Sequence, residues 1–333
     1  MPTVFITGAT GEIGSQLLSL LQSSNTPTRV LCRRQDQADK FNQQPLVEAA
    51  LGNLNESTEA LASHMSGCKT LFLLTPAVPN QLDMEINAVN AAISSGTVEF
   101  VVKIAASDQR AETDVPWAKA HHFAEKYMRE ACDKAGIKWT SLRPTGFMSN
   151  YMTTAPAIQK GFLPQTSGNG RHVSPYQEAI ILTWVGLGHR DTADVAAVAH
   201  RVILDGPAKH ASKVYNLTGP QRLNMPEFAA ILSRTIGHRV RYLHLPGPIF
   251  KRMVKLGGAD DFMANGLVAQ FVEIVRAEDD VDVSGDIQEI LGRPATSVEQ
   301  WGARNRDKFE GFDIVPYLAS GLVVGVAVLC YLA

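Results

Sequence analysis

The 333-residue chain lacks an excess of either charge, with 31 Lys and Arg against 33 Asp and Glu and a formal net charge of −2. No block of like charge stands out, which argues against nucleic acid as a partner. Cysteine is scarce. Cys32, Cys68, Cys132 and Cys330 form no C-x-x-C pair, so neither a disulfide framework nor a zinc site is expected. No basic start and apolar stretch precede the first strand, so no signal peptide is expected. The sequons at Asn55 and Asn216 therefore carry little weight. H-E-x-x-H, G-x-S-x-G, G-K-[ST] and EF-hand loops are all missing, which leaves metal and acyl chemistry without support.

What is present is an apolar fraction of 45% with 19% charged residues, enough for a sizeable core. Val4-Phe5-Ile6 is a short apolar run that stops at glycine, as a buried parallel strand does. Helical spacing follows over 13–21, then strands at 29–32, 70–75, 99–105 and 139–142. Helices are expected between them at 57–65, 84–94 and 117–135, the last stopped by Gly136. This alternation predicts an α/β fold built on a doubly wound parallel sheet. Beyond residue 145 the rhythm loosens. Residues 161–174 read as loop, 191–204 as a helix capped by Asp191 and Asp194, 214–217 as a strand, 226–236 as a helix and 240–245 as a strand. The expected plan is a nucleotide-binding Rossmann domain over 1–145, to which 190–218 returns. A smaller mixed α/β substrate lobe follows over 146–312.

Residues 314–333 (IVPYLASGLVVGVAVLCYLA) are uncharged and match the roughly 20 residues a bilayer-crossing helix needs. Arg304, Arg306 and Lys308 precede them. One reading is therefore a C-terminal transmembrane helix that anchors a cytosol-facing protein to an intracellular membrane. The other is a terminal apolar helix or strand packed on the domain.

Gly8, Thr10, Gly11, Ile13 and Gly14 lie in a turn between the first strand and the first helix. Dinucleotide phosphates need close backbone approach and free N–H groups there, which points to a cofactor site. The second strand ends in Cys32-Arg33-Arg34-Gln35-Asp36. Guanidinium groups suit the 2′-phosphate of NADP, so NADP(H) is favoured over NAD(H). Asp36 is the objection, because an acid in this region serves the ribose hydroxyl of NAD. The bland alternative leaves both arginines merely solvated.

Several segments resemble the NmrA-like group of atypical short-chain dehydrogenase/reductases. These are Thr7-Gly8-Ala9-Thr10-Gly11-x-x-Gly14, Phe100–Ile104, His121–Glu125, Trp139–Asn150 with its Leu-Arg-Pro and Phe-Met-x-Asn pieces, Asp191–Ala196, Tyr215–Pro220 and Leu291–Pro294. The group holds redox-sensing regulators, quinone and azo-dye or triphenylmethane reductases, and fungal dehydrogenases of the festuclavine type. The resemblance implies a cofactor site of the glycine turn, Arg33, the Thr75-Pro76 loop, Lys103 and the Pro144–Phe147 loop near the nicotinamide. Lys103 has a second reading, a buried lysine paired with an acid.

Most short-chain dehydrogenases use Tyr-x-x-x-Lys to protonate a carbonyl oxygen, and no tyrosine here has Lys four residues on. By its spacing to Glu125 the motif falls on Trp117 and His121. His121 or His122 could supply a proton, or be plain surface or capping residues. Iminium ions, quinones and conjugated dyes need less help from an acid. The sequence thus points to an NADP(H)-dependent oxidoreductase. It would pass hydride to a small conjugated imine, iminium, quinone or enone, and secondary-metabolite biosynthesis is one setting. Catalytic candidates are Lys103, His121 and His122. Trp117, Phe147, Met148, Tyr151 and Trp184 are pocket candidates or core. The alternative is a non-catalytic NAD(P)-sensing regulator.

Overall fold

The computed structural model describes residues 3–106, 111–145, 148–166, 171–173, 193–271 and 283–311. The first half alternates strand and helix. β1 (Val4–Ile6) leads to α1 (Glu12–Ser23), β2 (Thr28–Cys32) to α2 (Gln35–Asn42) and β3 (Val47–Leu51) to α3 (Thr58–Met65). β4 (Thr70–Leu73), α4 (Gln81–Ser94), β5 (Phe100–Ile104), α5 (Pro116–Ala135) and β6 (Lys138–Pro144) complete it. Then come α6 (Ala155–Gln159), β7 (Phe162–Gln165), β8 (Arg171–Val173), α7 (Ala193–Asp205), α8 (Pro207–His210) and β9 (Lys213–Leu217). The remainder is β10 (Arg222–Asn224), α9 (Met225–Ile236), β11 (Arg241–His244), α10 (Gly247–Leu256), α11 (Asp261–Ala269), α12 (Asp286–Leu291) and α13 (Val298–Arg304).

Seven strands form one parallel sheet in the order β3-β2-β1-β4-β5-β6-β9. The order reverses between β1 and β4. Ligands of such sheets bind at that switch point, outside the strands' carboxyl ends. Side chains alternate across the pleat. Val4, Ile6, Phe72, Phe100, Val102 and Ile104 join α1 and α7 in one core, with Ile287 of α12 added to it. Phe5, Leu71, Leu73, Val101 and Trp139 face the opposite way, into a second core with α3, α4 and α5. Lys103 shares the parity of Val101, so the pleat turns it toward α4 and α5.

A third core lies in the later segments. Met148, Ile158, Leu163, Phe228, Leu232, Val298, Trp301 and Phe309 gather there. α9 is held at one end by a capping box of Asn224 and Glu227 and at the other by Gly237 at φ 88°.

Three expectations need correction. Among the described residues no helix is long and apolar enough to cross a membrane, so the transmembrane helix and the membrane localisation drawn from it are unsupported; residues 314–333 themselves lie outside the described residues. The 161–174 segment is not all loop, because β7 pairs with β11 and β8 with β10. Asp194 is not a helix cap. It is buried and accepts from Arg293 Nη2 at 2.6 Å and from the Thr296 N–H at 2.7 Å, so it ties α7 to the segment after α12. Asp191 lies outside the described residues.

Candidate cofactor and active site

The glycine turn sits at the switch point. Thr7 Oγ1 donates to Leu74 O at 2.8 Å and accepts from the Leu74 N–H at 2.9 Å, joining the ends of β1 and β4. Gly8 has φ 72°, a conformation natural to glycine, and a Cβ there would come within 3.0 Å of Leu74 O. At Gly14 a Cβ would lie 2.2 Å from Gly8 O, so α1 reaches the turn only because residue 14 has no side chain. Gly11 caps α1 without any side-chain hydrogen bond to its first turn. Backbone donors at a helix start, approached by bare glycine backbone, fit the phosphates of a dinucleotide. Thr10 is exposed on this turn and Ile13 is buried under it.

β2 lies beside β1, and its end carries both arginines. Arg33 is exposed and makes no hydrogen bond or ion pair among the described residues. Arg34 starts α2 and clamps Asp36 at both oxygens, Nε to Oδ1 at 2.8 Å and Nη2 to Oδ2 at 2.5 Å. The Arg34 guanidinium holds the Asp36 carboxyl below the usual carboxylate range.

Lys103 and His121 do come together, with partners the sequence did not reveal. Lys103 is fully buried. Its Nζ donates to Ile104 O at 2.9 Å and lies 3.0 Å from His121 Nδ1. Glu85 Oε2 of α4 meets it at 2.8 Å as an ion pair without hydrogen-bond alignment. Glu85 Oε1 accepts from Thr75 Oγ1 at 2.5 Å and from Gln81 Nε2 at 3.1 Å. Burial would raise the Glu85 carboxyl, but the Lys103 ammonium and the His121 ring beside it outweigh this and hold it below the ordinary range. His121 Nδ1 also lies 3.3 Å from Glu85 Oε1. An ammonium only donates, so Nδ1 must accept and the ring hydrogen belongs on Nε2. A hydrogen on Nδ1 would set two donors against each other at 3.0 Å. Gln81 Nε2 is 3.1 and 3.3 Å from the two ring nitrogens, a position over the ring face. Its Oε1 is buried without a hydrogen-bond partner.

The other candidates are dispersed. His122 is half-buried and its ring meets Phe123 edge-on at 5.2 Å. Trp117 packs beside Phe262 and over Gly266 of α11, in a small core with Val115 and Met263. Met148 is buried in the third core, and Tyr151 stacks near Phe228 at 4.5 Å, its hydroxyl facing Met225 Sδ. Burial pushes the Tyr151 phenol up. Pro144 ends β6 in register with Leu217. Phe147 and Trp184 lie outside the described residues.

The helix expected from residue 84 contains Glu85 but leaves out Gln81, and nothing in the sequence pairs Glu85 with Lys103. A start at Gln81 puts Gln81 and Glu85 four residues apart, on one face.

A family model described as "NmrA-like family" matches residues 2–312. NAD(P)H azoreductase of Xenophilus azovorans is 28% identical over 307 residues, 92% of this chain and 99% of that protein. The crystal structure of an NADPH-dependent quinone oxidoreductase from Escherichia coli, complexed with NADPH, has a TM-score of 0.74 at 25% identity, covering 91% of this chain and 99% of that one. Triphenylmethane reductase of Citrobacter sp., complexed with NADP(H), shares the fold with a TM-score of 0.73 at 20% identity, over 91% of this chain and 99% of that one.

Proposed function

Since the chain belongs to the NmrA-like family, we propose that this NAD(P)H-dependent oxidoreductase uses NADP(H) and reduces a small conjugated acceptor, a quinone foremost, with imines, iminium ions and enones in the same class. The observation that carries the reading is the switch-point site itself. A glycine turn opens α1 with no side-chain cap, and an uncommitted guanidinium stands at the end of the neighbouring strand. Two relatives named as an NAD(P)H azoreductase and an NADPH-dependent quinone oxidoreductase support both the cofactor and a conjugated acceptor.

NADPH, when bound, supplies the hydride. The turn at Gly8, Thr10, Gly11 and Gly14 holds the pyrophosphate, with Ile13 as the apolar peg beneath it, and Arg33 holds the 2′-phosphate. The Pro144 loop bounds the nicotinamide end. Lys103 works through His121. It fills Nδ1, which places the ring hydrogen at Nε2 on the side where Gln81 stands. Glu85 keeps the Lys103–His121 pair neutral overall. Of the described apolar candidates, Trp117 and Met148 are spent in separate cores, and half-buried Tyr151 is the one assigned to the wall around the acceptor. Such an acceptor spreads the arriving charge over its conjugated system, which is why a tyrosine acid is dispensable.

The test is fluorescence titration of the full chain with NADPH and NADH, followed by NADPH consumption against quinones, azo dyes, imines and enones. Tight NADPH binding with turnover of a quinone is expected. Binding without turnover on any acceptor would overturn the catalytic part. No binding of either nucleotide would overturn the whole.

A further inference from the structure

We propose that Arg34 sets cofactor choice without touching the cofactor, by neutralising Asp36; this rests on the NADP(H) reading above. The two arginines at the end of β2 are not equivalent. Arg33 is exposed and uncommitted among the described residues, whereas Arg34 spends its fork on one carboxylate, through Nε and Nη2. Arg34 is the extended residue just before α2, at φ −126° and ψ 143°, and its long side chain folds back over the first turn to reach Asp36.

The charge arithmetic gives the pair its purpose. An acid in this region accepts the ribose 2′-hydroxyl of NAD and repels the 2′-phosphate of NADP. Asp36 stands there as an anion held below its ordinary range. Unpaired, it would add a negative charge close in sequence to Arg33 and oppose its attraction for a phosphate. Clamped, Arg34 and Asp36 sum to zero, and Arg33 alone gives the strand end its net positive charge. One contact at each carboxylate oxygen is already taken by Arg34. The neighbouring acid Asp39 is also engaged, accepting from Gln35 Nε2 at 2.7 Å. Arg34 is thus a specificity-determining residue that acts on a latent NAD site.

The experiment is a double-substitution cycle on the full chain, reading dissociation constants for NADPH and NADH by fluorescence. Arg33→Gln is expected to weaken NADPH about tenfold or more, since it removes a charge-assisted contact, and NADH far less. Arg34→Gln is expected to lower the NADPH-over-NADH preference about tenfold by weakening NADPH and strengthening NADH. In an Asp36→Asn background the same Arg34→Gln change should move the preference by less than about threefold. An Arg34→Gln effect of equal size in both backgrounds would mean that Arg34 grips the phosphate directly and would overturn the inference. An unchanged preference in Arg34→Gln would overturn it as well. In either case NADPH binding by the wild type would leave the proposed function standing. Wild type that binds neither nucleotide would remove both.

Discussion

A lysine with no solvent exposure has to be explained before any role is given to it. Burying an ammonium alone is costly, and one partner removed from a buried ion pair costs about 3–5 kcal/mol because the other charge is stranded. Lys103 and Glu85 are such a pair, fully enclosed between β5, α4 and α5. Glu85→Gln is therefore expected to lose about that much stability in urea unfolding, while Lys103→Met with Glu85→Leu loses less than either single change. The pH dependence has a definite sign. Glu85 is depressed in the folded state, so its contribution is complete above the unfolded carboxylate value of roughly 4.3 and drains as pH falls through the lower folded value. The stability gap between wild type and Glu85→Gln should accordingly be constant near neutrality and narrow below about pH 4. A gap that stays constant down to pH 3 would show that the carboxylate does not carry the pair. The sequence located Lys103 and His121 as residues of interest, but not their meeting. That meeting depends on the pleat parity of β5, which turns Lys103 toward the α5 face that carries His121.

At the scale of elements, most of the sheet was readable because its strands are short apolar runs closed by turns. β2, β4, β5, β6 and β9 fall within a residue or two of expectation. α2 and β3 were passed over for a physical reason. α2 reads QDQADKFN and buries only Ala38, and β3 is an edge strand that buries only Ala50. Periodicity carries no signal where so little is buried. The glycine turn was readable in full, because Gly14 is required by contact and not by propensity. Gly14→Ala would drive a methyl to 2.2 Å from Gly8 O. It should abolish NADPH binding in the fluorescence titration, whereas Thr10→Ala, on the exposed side of the same turn, should bind with at most a modest loss. Equal binding by Gly14→Ala and wild type would exclude the turn as the phosphate site. The bond from Asp194 to Arg293 and Thr296 predicts a local effect instead. Asp194→Asn weakens both contacts, each worth about 1–3 kcal/mol, and amides of 293–297 and α12 should exchange faster than those of β1 and β4.

For the whole molecule, the three larger cores set an order of stability. Two of them clamp the parallel sheet from opposite faces and share its strands, so neither can open without exposing β1, β4 and β5. The third is assembled from Met148, Ile158, Leu163, α9 and the 298–309 segment, and takes no strand of that sheet. Cores that share few elements open at different free energies. Native-state hydrogen exchange in low urea should show α9 and α13 opening below the global unfolding free energy, with β1, β4 and β5 opening only at it. NADPH separates the two further. A ligand at one hundred times its dissociation constant adds about 2.7 kcal/mol to any opening that destroys its site. The proposed site lies on the sheet, at the ends of β1, β2 and β4. NADPH alone should therefore raise protection of the sheet and leave α9 and α13 near their free values, while an acceptor analogue added to the NADPH complex should raise α9 as well. Protection of α9 by NADPH alone, equal to that of β1, would mean that the third core closes on the cofactor directly and not through the acceptor.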